Sequence, residues 1–179
     1  MDTIRSIIFI KSVIVFIAAL ILLGGCASTG SHYVLTPMTD KLTEYKTMVF
    51  YVSSQIYESD DEEIQLENIT KAKLKKKGLF TKVISGLDSP GASADLRLNA
   101  KIVNLKKANR WARLVLDTSP GRAEIVINVE LIDMKAGKTI GAFQAEGKSS
   151  GGTVFGGTTS QAVERAADQI VEFIQKNLK

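Results

Sequence analysis

The residues most open to a chemical reading are Gly151 to Thr159, GGTVFGGTT, a glycine-rich turn that feeds the last amphipathic segment of the chain. Such a turn can aim backbone N–H groups and the positive end of a helix dipole at a phosphate. Written as a template, Gly152-x4-Gly157-Thr158-Thr159 comes close to G-x4-G-K-[ST], but the lysine that would reach the β- and γ-phosphates is missing. No second glycine fingerprint of the dinucleotide type accompanies it. A plainer use fits the same residues: Thr158 and Gln161 have capping-box spacing, and Gly151, Gly152, Gly156 and Gly157 let the chain leave a sheet edge and cross to a helical layer. The expectation is a flexible connection, with a partner-binding loop as the alternative and nucleotide disfavoured.

Other chemical groupings are sparse. The chain has one cysteine, Cys26, and one histidine, His32, so it can form neither an internal disulfide nor a Cys/His metal cluster. Any Ser-His-Asp arrangement would have to use His32, which precedes every recognisable strand and helix. The acid run Asp60 to Glu63 lacks the alternating ligands and glycine of a calcium loop. Asp95, Asp117, Asp133 and Glu146 could meet in a cleft, which keeps a hydrolase as the third functional reading. Lys106, Lys107, Arg110 and Arg113 surround Trp111, the only tryptophan. That mixture suits anionic headgroups or polyanions through charge and cation–π contact, or else it is a solvated hairpin end with the indole folded back. No cofactor is expected.

Positioning these residues requires a core, and 179 residues with 45% hydrophobic and 23% charged content suffice for one domain. Met48 to Ser53 reads as a buried first strand. Acids at Asp60 to Glu63, lysines up to Lys77 and then Gly78 mark a helix over about 61–77, although its apolar residues scatter around the wheel. Leu79 to Ser85 reads as a strand. Leu96, Leu98, Ala100 and Ile102 alternate with Arg97, Asn99 and Lys101, and Ala123 to Leu131 repeats the pattern, so both strands have one wet face. Thr139 to Glu146 returns as another strand after a turn at Gly137. From about Thr159 to Leu178 a broad apolar stripe including Val163, Ala167, Ile170 and Ile174 marks a helix that must cover the sheet's dry face. The expected fold class is α+β: a two-layer sandwich with a mostly antiparallel sheet of about five strands and two helices on one face.

The N-terminus is an address. Arg5 and Lys11 precede Ser12 to Leu23, an unbroken run of apolar and small residues, as in a secretory signal. Leu23-Gly24-Gly25-Cys26 resembles the lipobox of bacterial lipoproteins. The resemblance implies a signal peptide over 1–25, a diacylglyceryl thioether on Cys26, and acylation of the new amino terminus. One acyl chain binds membranes marginally, and two or more hold a protein stably. Ala27 after the cysteine implies, in the same pattern, sorting to an outer membrane. Residues 26–46 then read as a lipidated, flexible tether with a short extended piece around Tyr33 to Leu35, which lets the domain stand off the membrane, and 47–179 as a single periplasmic domain. Losing residues 1–25 lowers the formal net charge of +4 by one, too mild a balance to suggest nucleic acid.

From about Met48 onward, GLF-x3-I near 78–84, ADLRLNAKIVNL near 94–105, GRAEIVINVELIDMKAGKTI near 121–140 and the glycine turn into a final helix resemble a family of bacterial lipoproteins, domain of unknown function 4410. The resemblance brings no catalytic residues. More distantly, the layout looks like periplasmic α/β modules of envelope lipoproteins in secretion and Tol-type systems. The functional expectation is a non-enzymatic, membrane-anchored domain that binds the lipid bilayer through acylated Cys26 and an envelope protein or its own copies. The alternative is a ligand- or polyanion-binding module using the Gly151–Gly157 loop and the Arg110–Arg113 patch.

Overall fold

Alternation along β4 (Leu96–Lys106) and β5 (Glu124–Asp133) builds the centre of the sheet. Leu98 lies opposite Leu131, Ala100 opposite Val129 and Ile102 opposite Ile127, all six fully buried. The computed structural model describes residues 30–86, 88–89, 91–108, 122–150 and 157–178. Around the central pair lie β1 (Gly30–Thr36), β2 (Thr47–Ser54), β3 (Lys82–Ser85) and β6 (Lys138–Lys148). The helices are α1 (Asp60–Lys76) and α2 (Thr159–Asn177), and a 3-10 turn spans Leu42–Glu44. Strand order is β1-β6-β5-β4-β2-β3.

Two features depart from the expected sheet. It has six strands, because β1 falls inside the segment read as a flexible tether: Gly30 pairs with Gly147 and Val34 with Phe143 in antiparallel register. Leu42 and Tyr45, in the same segment, are core residues. The sheet is also mixed, since β2 runs parallel to both β3 and β4 while the remaining pairs are antiparallel. The helical crossover accounts for the first of these pairings, because α1 carries the chain back along the sheet so that β3 runs parallel to β2.

Both helices cover one face. The α2 stripe reads from Val163 through Ala166, Ala167, Ile170 and Ile174, and Phe173 stacks on Phe143 with ring centroids 3.8 Å apart. Approach is closest where small residues meet. A Cβ added to Gly147 on β6 would lie 2.0 Å from the Ala162 carbonyl oxygen and 2.6 Å from the Ala166 nitrogen. α1 lacks such a stripe. Its buried side chains include Leu66 and Leu74 but also Thr70 and Glu67, and Glu67 accepts a hydrogen bond from Ser85 on β3. Polar links then tie it to α2, with Lys73 Nζ 2.6 Å from Asp168 and 3.4 Å from Glu164. Gly78, with φ of 61°, supplies the left-handed residue just past the α1 cap.

Two stability outcomes follow. Gly147→Ala pushes a methyl group into helix backbone that cannot swing aside. It should cost at least the ~1–3 kcal/mol typical of overpacking, several degrees of Tm for a domain of this size. A fragment beginning at Thr47 should be much less stable than one beginning at Gly30, because it lacks β1, Leu42 and Tyr45. Thermal melts of both fragments and of the variant check this, and an unchanged Tm for the shorter fragment would contradict the role given to β1.

Candidate functional site

The residues that flank the glycine turn and the start of the basic segment, far apart in sequence, come together at one end of the sheet. β4 ends there at Lys106, β5 begins, β6 ends at Lys148 and α2 starts. The link is direct, because the Ala108 N–H donates to Thr159 Oγ1 at 3.0 Å. Lys107 bridges to Glu62 at 3.1 Å and donates to the Glu58 carbonyl at 2.8 Å, so part of the cationic patch is committed to the start of α1. Lys106 is exposed. Arg110, Trp111, Arg113, Gly151, Gly152, Gly156 and Cys26 lie outside the described residues.

The neck of the glycine turn is tightly bonded. Thr158 caps α2 by accepting from the Gln161 N–H at 3.2 Å, as the capping-box reading expects. The reciprocal half differs: Gln161 Oε1 accepts from the Ser150 N–H at 2.9 Å, and the Gly157 N–H donates to the Ser150 carbonyl at 3.0 Å. Arg165 reaches back from α2 to the Lys148 carbonyl and, at 2.9 Å, to Ser150 Oγ. Three N–H groups beside the turn, those of Ser150, Gly157 and Gln161, are thus used to close the neck. Gly157 is itself constrained, since a Cβ there would lie 1.9 Å from Gln161 Oε1. The connection read as freely flexible is pinned at this residue.

Of the acids of the hydrolase reading, Asp95 and Asp133 lie at one end of the β4–β5 pair, each engaged in local bonds, and Glu146 lies toward the other end. Asp95 accepts from the Thr47 hydroxyl at 2.9 Å and the Thr47 N–H at 3.1 Å, joining β2 to β4. Asp133 accepts from the Lys135 and Ala136 N–H groups and from the Tyr45 hydroxyl, fixing the β5–β6 turn. Glu146 sits toward the opposite end of the sheet, accepting from Ser31 Oγ at 3.1 Å. Asp117 lies outside the described residues. The Thr47 hydroxyl and N–H hold Asp95 below the usual aspartate pKa, and chiefly the Ala136 N–H does the same for Asp133. Burial, then its bond to Asp133, pushes the Tyr45 hydroxyl up to about 12. These carboxylates act as ionised acceptors that brace turns, which is the opposite of what a general acid needs.

One arrangement has no counterpart in the sequence reading. His32, on β1, places Nδ1 3.1 Å from the Oε1 of buried Gln169 and meets Phe173 edge-on at 5.8 Å. Beside it a cavity of about 230 Å³ opens between β1 and the end of α2, lined by Val34, Pro37, Met38, Phe173 and Lys176. It is smaller than the roughly 300–1,000 Å³ of ordinary small-molecule sites. Only the pairing of β1 with β6 brings His32 to α2, so no local signal marks it. Among the described residues no group of three or more His, Cys, Asp or Glu side chains is placed to hold a metal ion.

A mixed six-stranded sheet with two helices on one face defines an α+β domain. The chain belongs to the family described as domain of unknown function 4410, which matches residues 56–153. Among solved structures, PelC of Paraburkholderia phytofirmans, a dodecamer, is 14% identical over 84% of this chain and 97% of its own, with a TM-score of 0.53. A Xanthomonas campestris protein with domain of unknown function 330 is 14% identical over 80% of this chain and 87% of its own, with a TM-score of 0.52. At such identities the likeness is one of fold. No curated protein matches the sequence.

Two tests probe these assignments. Replacing residues 151–156 with a serine-glycine linker of equal length should leave Tm within a few degrees, whereas Gly157→Ala should lower it. Saturable ATP binding by the wild type that the linker version loses would restore the nucleotide reading. The depressed folded-state pKa of Asp95 and Asp133 adds stability above the unfolded value of about 3.9, which is lost as pH falls through the folded value. Tm of the soluble domain should therefore drop below that pH, and less steeply in Asp95→Asn.

Proposed function

We propose that this protein is a lipoprotein of the bacterial cell envelope, anchored through Cys26, with a periplasmic domain that works by binding, including to its own copies. The observation that carries the reading is the sequence Leu23-Gly24-Gly25-Cys26, with the chain's only cysteine at the cleavage position and Gly30, four residues later, already within β1. No helix among the described residues is long and apolar enough to cross a membrane. Ala27 favours the outer membrane. Self-association draws support from PelC, a dodecamer with the same fold. The carboxylates tied into turns and the bonded glycine neck favour a binding role over catalysis.

Mass spectrometry of the mature protein should find an acylated amino-terminal cysteine at position 26, and Cys26→Ala should abolish both acylation and processing. An unmodified thiol on mature protein would overturn the anchor. Sedimentation of the detergent-solubilised mature protein should show species larger than a monomer, and a monomer at every concentration would remove self-association from the proposal.

A further inference from the structure

The short distance between anchor and fold restricts how the domain can meet its membrane. Only Ala27, Ser28 and Thr29 separate Cys26 from Gly30, which is already hydrogen-bonded into the sheet opposite Gly147. At ~3.6 Å per residue even a fully extended chain keeps the Cys26 Cα within about 14 Å of the start of β1. The sequence reading of a long tether that lets the domain stand off the membrane therefore gives way to close attachment at one flank, the free edge of β1.

That flank has the composition of an interfacial surface. Tyr33 to Pro37 is an unbroken exposed run, with Tyr33 at 55% and Val34 and Leu35 at 56% relative exposure. Of the five large hydrophobic residues exposed in the described chain, three thus sit consecutively on the strand nearest the anchor. Exposed Lys176 lines the cavity beside Val34, and exposed Lys41 follows five residues after β1 in the chain, where the Asp40 carboxylate is paired with Lys138 at 3.0 Å. Tyrosine and aliphatic side chains with lysines beside them suit the headgroup and glycerol layer, where the open strand edge keeps its N–H and C=O groups hydrated.

We propose that the edge of β1, with Tyr33 and Leu35 on the sheet's outer face and Val34 at the cavity on the helix side, docks edge-on against the surface of the bilayer that holds Cys26, so that the domain lies on this edge. The inference rests on acylation of Cys26. Two arguments choose the bilayer over a second protein. Three consecutive half-exposed side chains fall far short of the 20–30 residues a side of a standard protein interface. The tether also keeps the membrane surface at high effective concentration beside this strand, so even a weak contact is occupied.

The acylated full chain can test this in vesicles of phosphatidylethanolamine and phosphatidylglycerol. The thioether consumes the only native thiol, so Leu35→Cys and Lys82→Cys each offer one labelling site. Lys82 is exposed on β3, at the other edge, five strand spacings or about 24 Å from β1 across the sheet. A third variant, Tyr57→Cys, reports on the end of the sheet where β2 leaves for α1. With nitroxide-headgroup lipids, fluorescence of a label at position 35 should be quenched several-fold more than at 82 or 57. Equal quenching at all three positions, stronger quenching at 57, or crosslinks between copies through position 35 would each overturn the proposal. Failure of the wild type to float with vesicles would overturn the acylation reading together with this one, whereas flotation without selective quenching at 35 overturns this one alone. Tyr33→Ser with Leu35→Ser removes the side chains on the sheet's outer face while leaving the core intact. The soluble domain should keep its Tm, and the label, now placed at Val34→Cys, should lose its selective quenching.

Discussion

The close approach of α2 to β6 is the contact on which the rest of the molecule depends. Gly147 leaves no room for a side chain because the Ala162 carbonyl and the Ala166 N–H lie where its Cβ would be, and Ala145 and Ala167 continue the seam of small residues. Such close packing lets larger groups on either side interdigitate, as Phe173 and Phe143 do. It also places the start of α2 at the end of β4, where Thr159 receives the Ala108 N–H. Once the helix is laid down on this line, the position of Arg165 over the Lys148 carbonyl and the closure of the glycine neck are consequences.

The same line decides what the remaining helix must do. With α2 over β5, β6 and β1, the dry face of β2 and β3 needs another cover, and α1 supplies it with a mixed set of Leu66, Leu74, Thr70 and Glu67. Its polar inner face is tolerable because Ser85 donates to Glu67 and because Lys73 joins the two helices at partly exposed positions. Buried carboxylates are costly unless hydrogen-bonded, which ties α1 specifically to β3.

Among the described residues, Asp95 and Asp133 brace a strand end and a turn, and the N–H groups of Ser150 and Gly157 close the neck of the glycine turn. What is left uncommitted is a flank, the β1 edge with its apolar run and small cavity, and an end of the sheet where Lys106 and the connection to Arg122 emerge.

The sequence by itself determined those features that are periodic over short stretches. α2 was legible from its stripe, β4 and β5 from their alternation, and the Thr158 cap from spacing, because each expresses a local match between residue pattern and backbone period. The bonded glycine neck was half visible: the cap to Gln161 follows from position, but the turn of its amide toward Ser150 does not. β1 was decided only by tertiary structure. Half its residues are exposed, so it carries no clean alternation, and its strand state comes from hydrogen bonds to β6, more than a hundred residues away. The parallel pairing of β2, the burial of Leu42 and Tyr45, and the meeting of His32 with Gln169 share that cause. Each depends on which distant backbone supplies the partner, a choice made by packing the whole sheet and not by the residues on either side.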